Sequence, residues 1–190
     1  MPSPSLPPAF LGALAPGSLV LDLGCGTGRH AQTLREAGLR VVGVDMDFDA
    51  LSTARALYPS APDSSTSRAR VDYSAGHAGA IPCKDAAFDA VVCLDVLHWS
   101  ADASAFEAAW REVFRVLRSG GLFYARLRVS RTREAATGAQ DGWFLIDRAG
   151  LEALAGKWGA EWIVAPAGAT GDPEEDSVGI LLRKPAGQAG

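Results

Sequence analysis

Residues 19–30, LVLDLGCGTGRH, and 41–45, VVGVD, decide how this chain folds. Leu19 to Leu23 are mostly apolar, the pattern of a strand buried on both faces. Gly24, Gly26 and Gly28 follow at every second position. A short helix is expected next, from about Arg29 to Ala37, with Gly38 as its C-terminal cap. A second apolar strand, Arg40 to Val44, ends in Asp45. The unit is strand–helix–strand, and both its glycines and its acid lie at the carboxyl ends of strands, where open parallel sheets bind ligands.

The chemistry follows from that spacing. Glycines in the first turn let the backbone bend sharply and let a ligand approach the main chain. The start of the following helix offers free N–H groups to a carboxylate or phosphate. Asp45 stands 21 residues beyond Gly24. A carboxylate at the tip of the neighbouring strand can accept hydrogen bonds from both hydroxyls of a ribose. The unit therefore reads as a nucleoside-plus-anion site. The dinucleotide pattern G-x-G-x-x-G/A fails from Gly24, where its last position is Arg29. From Gly26 it passes only with Ala31, which moves the match into the helix. The phosphate-cradling pattern G-x-x-x-x-G-K-[ST] is absent. The plain alternative is an α/β domain whose glycines merely turn the chain.

The 190 residues suit one domain with a full core, with a hydrophobic fraction of 48% and a charged fraction of 21%. A net charge of −4 argues against an extended nucleic-acid surface or an anionic-membrane partner. No apolar run reaches the ~18–20 residues that span a bilayer, and no charged region precedes the first apolar residues. A cytoplasmic protein is expected. Cys25, Cys83 and Cys93 are odd in number and lack metal-type spacing, so they read as free thiols. No metal site is expected, from them or from His30, His77 and His98.

Taken in order, residues 1–18 form a proline-rich arm with at most one helical turn. Residues 19–185 form the domain, and 186–190 a tail. A helix is expected over Asp47–Tyr58, capped by Asp47 or Asp49 and stopped by Pro59. A Ser/Pro-rich loop spans Pro59–Ser67, and a weak third strand Arg68–Tyr73. Phe88–Leu94 reads as a fourth, buried strand. Ser104–Leu117 is an amphipathic helix with Phe106, Ala109, Trp110, Val113, Phe114 and Leu117 on one face, ended by Ser119-Gly120-Gly121. A fifth strand follows over Leu122–Leu127, then a polar segment from Ser130 to Gly142 and a last helix over Asp147–Trp158. Two final strands, Trp162–Ala165 and Val178–Arg183, flank an acidic loop, Gly168–Asp176.

The stretch L-D-L-G-C-G-T-G resembles the first motif of class I S-adenosylmethionine-dependent methyltransferases, and Asp45 matches that family's downstream acid. The resemblance continues through Gly76–Cys83 and Phe88-Asp89-Ala90-Val91, similar to the family's G-D-A-x-x-L-P-F…F-D-x-V. Residues Arg115–Leu122 are similar to its R-V-L-K-P-G-G turn. It implies a Rossmann-like three-layer α/β sandwich. The sheet would have seven mostly parallel strands in the order 3-2-1-4-5-7-6, with strand 7 antiparallel. It implies S-adenosyl-L-methionine as cofactor. The residues expected to bind it are Asp22, Gly24, Cys25, Gly26, Gly28, Asp45, Met46, His77, Ala78 and Asp95. Within that set, Asp22 would face the methionyl end and Asp95 the sulfonium, or else cap the next turn. His77 replaces the family's aspartate, which accepts from the adenine amino group. A neutral imidazole can still accept through one ring nitrogen, and the Ala78 N–H would serve a ring nitrogen of the base.

Residues for the acceptor are a separate matter, because a sulfonium donor needs positioning more than chemical help. His30, His77 and His98 all fall at the carboxyl edge of the sheet. His98 is a candidate general base and Trp99 a candidate wall, although His98 reads equally as a packed pocket-wall residue. Arg126 and Arg128 share one face of the fifth strand. Arg126 is a candidate fork for an anionic acceptor, unless it pairs with the Ser130–Gly142 segment or Asp147. Ser130–Phe144 is expected to be a mobile cover. The expected function is methyl transfer to a small-molecule acceptor. The rivals are a non-catalytic S-adenosylmethionine- or S-adenosylhomocysteine-binding module or partner subunit, and a dinucleotide oxidoreductase.

Overall fold

The computed structural model describes residues 6–59, 70–130, 144–165 and 177–187. Strand β1 (Leu19–Leu23) is central. It pairs in parallel with β2 (Arg40–Asp45) on one side and β4 (Phe88–Leu94) on the other. β3 (Val71–Ala75) extends the sheet beyond β2, and β5 (Leu117–Ser130) extends it beyond β4, both in parallel. β8 (Ser177–Arg183) runs antiparallel to β5, and β7 (Glu161–Val164) antiparallel to β8. The order is β3-β2-β1-β4-β5-β8-β7. This is the expected 3-2-1-4-5-7-6. The last two numbers shift because a two-residue strand, β6 (Ile146–Asp147), pairs with the end of β5.

Successive strand residues point to opposite faces, and that alternation builds two cores. Leu21, Leu23, Val91, Cys93 and Phe123 face α4 (Ala103–Val116) and α5 (Arg148–Lys157), which contribute Trp110, Phe114 and Leu151. Val20, Ala90, Val92 and Leu122 face α1 (Pro8–Leu11) and α2 (Ala31–Glu36), which contribute Phe10 and Leu34. α3 (Phe48–Leu57) buries Leu51 and Ala54 beside β2 and β3. The result is a helix–sheet–helix sandwich. Phe106, Trp110 and Phe114 stack along α4 with centroids 6.2 and 5.9 Å apart, and Phe123 meets Trp110 edge-on at 5.3 Å.

Three aspartates start α3, α4 and α5. Asp47 accepts from the N–H groups of Asp49 and Ala50, Asp102 from Ala105, and Asp147 from Gly150, all at 2.7–3.0 Å. Elsewhere the structure departs from expectation. α2 begins two residues later than read, which leaves Arg29 on the preceding turn. α4 ends at Val116, ahead of the glycines. Lys184 Nζ donates to the carbonyls of Phe114 and Leu117 at 2.6 Å. The backbone of Lys184 exchanges hydrogen bonds with Gly120 and Gly121, so the Ser119-Gly120-Gly121 stretch joins the sheet as a register jump in β5. The arm does more than trail: Leu6 and Phe10 are buried, and the Phe10 ring lies 5.8 Å from Tyr124. Most of the Pro59–Ser67 and Ser130–Gly142 segments, and Gly168–Asp176, lie outside the described residues, so the expected cover does too.

Arg115, in the stretch after which the glycine pair comes, ties α4 to the loop that follows β3. Its guanidinium donates to the carbonyls of Ile81 and Cys83 and to Asp85 and Glu112, all within 2.8 Å. Glu112 in turn accepts from the Ile81 N–H at 2.8 Å. Removing the guanidinium orphans these acceptors together. Arg115→Ala is expected to lower unfolding free energy by about 1–3 kcal/mol in urea titrations. Arg115→Lys should recover less than half, because one ammonium cannot span the fork. A loss under ~0.5 kcal/mol, the usual surface range, would mean the loop is held by other contacts.

Candidate functional site

A cavity of about 650 Å³ opens at the carboxyl ends of the central strands. Its floor is the turn after β1. Gly24 has φ +74°, and a Cβ there would fall 2.1 Å from Val96 Cγ2. Only glycine fits both that conformation and that space. The N–H groups of Gly24 and Cys25 donate to the Val44 carbonyl at 2.7 and 3.2 Å. Gly28, with φ +78°, turns away from the cavity, and a Cβ on it would come 2.8 Å from the Tyr73 hydroxyl. The three alternate glycines thus have separate jobs: Gly24 walls the cavity, Gly26 gives its N–H to Asp45, and Gly28 lets the turn pack on β3.

Asp45 ends β2 with both carboxylate oxygens engaged. Oδ2 accepts from the Gly26 N–H at 2.7 Å and Oδ1 from the Asp47 N–H at 2.9 Å. A carboxylate has about four lone-pair sites, so two bonds leave Asp45 able to accept more from a ligand. Met46, beside it on the cavity wall, is 70% exposed. His77 and Ala78 line the wall from the turn after β3.

Asp22 lies beneath the floor, absent from the cavity lining and 2% exposed. Its Oδ2 has no hydrogen-bond partner among the described residues. Burial, with help from the Asp45 charge, pushes its carboxyl up to about 7, while Arg29 pulls the other way. Cys25 also points inward. Its Sγ would crowd a Cβ at Gly43 to 2.8 Å, and burial pushes its thiol up, the state of an inert packing cysteine. Its N–H is already spent on Val44, so Cys25 shapes the turn from behind.

On the far wall, Asp95 follows β4 with φ +61°, unusual for a residue with a side chain. Arg126 grips it as a fork: Nε donates to Oδ1 at 2.9 Å and Nη2 donates to Oδ2. The Asp95 N–H returns a bond to the Arg126 carbonyl at 2.8 Å. Arg126 does not line the cavity. Its partner is Asp95, an acid that sequence reasoning had placed in the site without connecting it to the arginine.

His98 is corrected most. It sits in a 3₁₀ turn, Leu97–Trp99, only 2% exposed and away from the cavity lining. Its Nδ1 accepts from the Arg128 N–H at 3.3 Å, and its carbonyl accepts from the Phe144 N–H at 2.9 Å. Burial pulls its imidazole down to about 4. A buried imidazole whose acceptor nitrogen serves the backbone is a strut, so the general-base reading gives way to a structural one. Trp99, 59% exposed, does stand on the cavity wall.

The sequence reading missed Arg29, Ala105 and Ala109, which also line the cavity. Arg29 follows Gly28 directly, and that adjacency was a usable signal. Ala109 enters the sequence reading only as part of an apolar face and Ala105, one turn before it on α4, not at all, since periodicity gives no sign of how closely a helix approaches a ligand.

Residues 21–125 match a family described as a methyltransferase domain. A probable S-adenosylmethionine-dependent methyltransferase of Mycolicibacterium smegmatis is 36% identical over 107 residues, 56% of this chain and 37% of that protein. Malonyl-[acyl-carrier protein] O-methyltransferase of Serratia marcescens is 31% identical over 138 residues, 72% of this chain and 48% of that protein. The chain thus spans less than half the length of either. A solved structure of an S-adenosylmethionine-dependent methyltransferase from Methanosarcina mazei superposes with a TM-score of 0.76 at 19% identity, covering 95% of this chain and 99% of that one. At that identity the likeness speaks for the fold.

The buried Asp22 gives the ligand-free protein a pH signature. Its folded-state carboxyl titrates near 7 against an ordinary 3.8. Between those values the folded chain holds the proton more tightly than the unfolded one, so stability falls as pH rises. Asp22→Asn is expected to remove that slope. Urea unfolding at pH 5 and pH 8 should show the variant gaining on wild type at the higher pH, by on the order of a few kcal/mol. An equal difference at both pH values would place the carboxyl in contact with water or a partner.

Proposed function

The chain belongs to the S-adenosylmethionine-dependent methyltransferases, and from that premise we propose that this cavity binds the cofactor and directs its methyl group to a small-molecule acceptor. The observation that carries the reading is a convergence at one cavity. The Gly24 turn, the Asp45 carboxylate with lone pairs to spare, and the His77–Ala78 turn meet there on three successive strand ends.

The residues fit the group. The bare Gly24 lets Val96 close in beside it on the cavity lining, and the orphaned Asp22 Oδ2 is an unspent acceptor under the floor. Asp45 would hold the ribose hydroxyls, Met46 an apolar face of the base, and the Ala78 N–H a ring nitrogen. The methionyl end is a zwitterion. Arg29 offers its carboxylate a cation, and the unpartnered Asp22 Oδ2 beneath the floor is the nearest spare acceptor for its ammonium. When bound, S-adenosylmethionine would supply an electrophilic methyl carbon on a sulfonium sulfur, which leaves as the neutral thioether.

This chain's contribution is placement. Gly24, Asp45 and Val96 fix where the donor end lies, and Trp99 with Ala105 and Ala109 shapes the space beyond it. Orientation of this kind accounts for much of the rate in a displacement whose electrophile is already activated. Trp99 favours a flat or apolar acceptor body. The Serratia marcescens relative is named for O-methylation of malonyl-[acyl-carrier protein], so acyl oxygens belong in the first acceptor screen.

Calorimetric titration with S-adenosylmethionine and S-adenosylhomocysteine should give saturable binding. Asp45→Ala should weaken it by roughly 1.5–3 kcal/mol for lost charged hydrogen bonds. Binding of NAD in place of either would overturn the reading. Cofactor binding without turnover on any acceptor would support the non-catalytic alternative.

A further inference from the structure

His77 is where this chain departs from the aspartate of the proteins it resembles, and the structure fixes what the imidazole can offer. Nδ1 accepts a hydrogen bond from the Gly79 N–H at 3.0 Å, inside a turn that the Ala80 N–H closes onto the His77 carbonyl at 2.9 Å. An imidazole nitrogen that accepts carries no proton, so in the neutral ring the proton is on Nε2. The sequence-based expectation, that His77 accepts from the adenine amino group, requires a free acceptor nitrogen. The only acceptor nitrogen of this ring is committed to Gly79. The nitrogen left over on this cavity-lining residue, Nε2, is a donor.

We propose that His77 donates its Nε2–H to an acceptor atom of the ligand's purine, and so reverses the hydrogen-bond polarity that an aspartate would impose at this position. The inference rests on the cofactor reading above. Adenine offers ring nitrogens as acceptors and its amino group as a donor. A donor at position 77 therefore selects a ring nitrogen and leaves the amino group unread by this side chain. An aspartate there would be acceptor-only and would read the amino group. The local turn is the cause: the chain folds back through Gly76 and Gly79, and the tight spacing at Gly79, where a Cβ would lie 3.2 Å from Nδ1, brings the ring onto the backbone.

The test is calorimetry with S-adenosylhomocysteine, its 6-deamino purine analogue, and its 1-deaza and 7-deaza analogues, on wild type, His77→Phe and His77→Asp. Wild type should bind the parent and the 6-deamino analogue within about threefold of one another. It should lose about three- to tenfold toward one of the deaza analogues, the scale of one net hydrogen bond. His77→Phe should erase that deaza penalty and leave unchanged any penalty that belongs to the Ala78 N–H. His77→Asp should acquire a preference for the amino-bearing parent of about tenfold, since bonds to charged groups are the stronger kind. A wild-type preference of tenfold or more for the amino-bearing parent, abolished by His77→Phe, would overturn the proposal and restore His77 as an acceptor. Unchanged affinities in His77→Phe would also overturn it, by removing the side chain from the ligand. If wild type binds none of the four, the cofactor reading falls and this inference falls with it. If it binds the parent but with the wrong polarity, only the inference falls.

Discussion

Two hydrogen bonds to one carboxylate hold this site in shape. Asp45 receives the Gly26 N–H on one oxygen and the Asp47 N–H on the other, at 2.7 and 2.9 Å. The first bond ties the turn after β1 to the end of β2, and the second starts the chain toward α3. Charged acceptors bind backbone N–H groups about twice as strongly as neutral ones, so a glycine turn with little conformational preference of its own is held in one form. The Val44 carbonyl adds two more bonds from Gly24 and Cys25. The cavity floor is thus defined by the last two residues of a neighbouring strand, and the carboxylate that organises it still has lone pairs for a ligand.

The same packing loads the floor with unspent polarity. Asp22 belongs to β1 by pattern and sits where an apolar residue would be cheapest. Its buried oxygen lacks a partner among the described residues, and its charge lies close enough to Asp45 to be raised by it. A fold pays for such a group only where something else benefits. Arg29, freed from helix α2 by that helix's late start, is the cation that offsets it in part.

Much of this was legible in the residues. Phe88–Leu94 came out with its ends in place because seven residues bounded by polar loop carry an uninterrupted apolar tail. The strand order followed from one βαβ unit and the resemblance. What pattern could not supply was pairing between distant side chains. Asp95 and Arg126 were each singled out, yet nothing in a one-dimensional pattern joins residues 31 apart, one just past β4 and the other on β5. His98 looked catalytic because it follows a strand end. Only the third dimension shows that the 3₁₀ turn rotates it inward, against the backbone of Arg128. The glycine pair at 120–121 reads as a helix stop, whereas Lys184, just past β8, ends α4 by donating to carbonyls 70 and 67 residues before it. Side chains that cap or pair across the sheet leave no periodic trace.

The floor and the far wall of the cavity are mechanically joined at one contact. Asp95 holds a left-handed conformation that costs a side-chain-bearing residue about 1–3 kcal/mol. Arg126 offsets that cost with two side-chain bonds and one backbone bond. The strained turn delivers the next residue, Val96, onto Gly24, where even one added carbon would collide. Val96 leads in turn into the Leu97–Trp99 turn that carries Trp99 to the cavity wall. A shift at the Asp95–Arg126 pair must therefore move the floor and the wall together. Arg126, first considered as a binder of acceptor, acts on the cavity from behind, by holding Asp95 in the conformation that lets Val96 and Gly24 share one space.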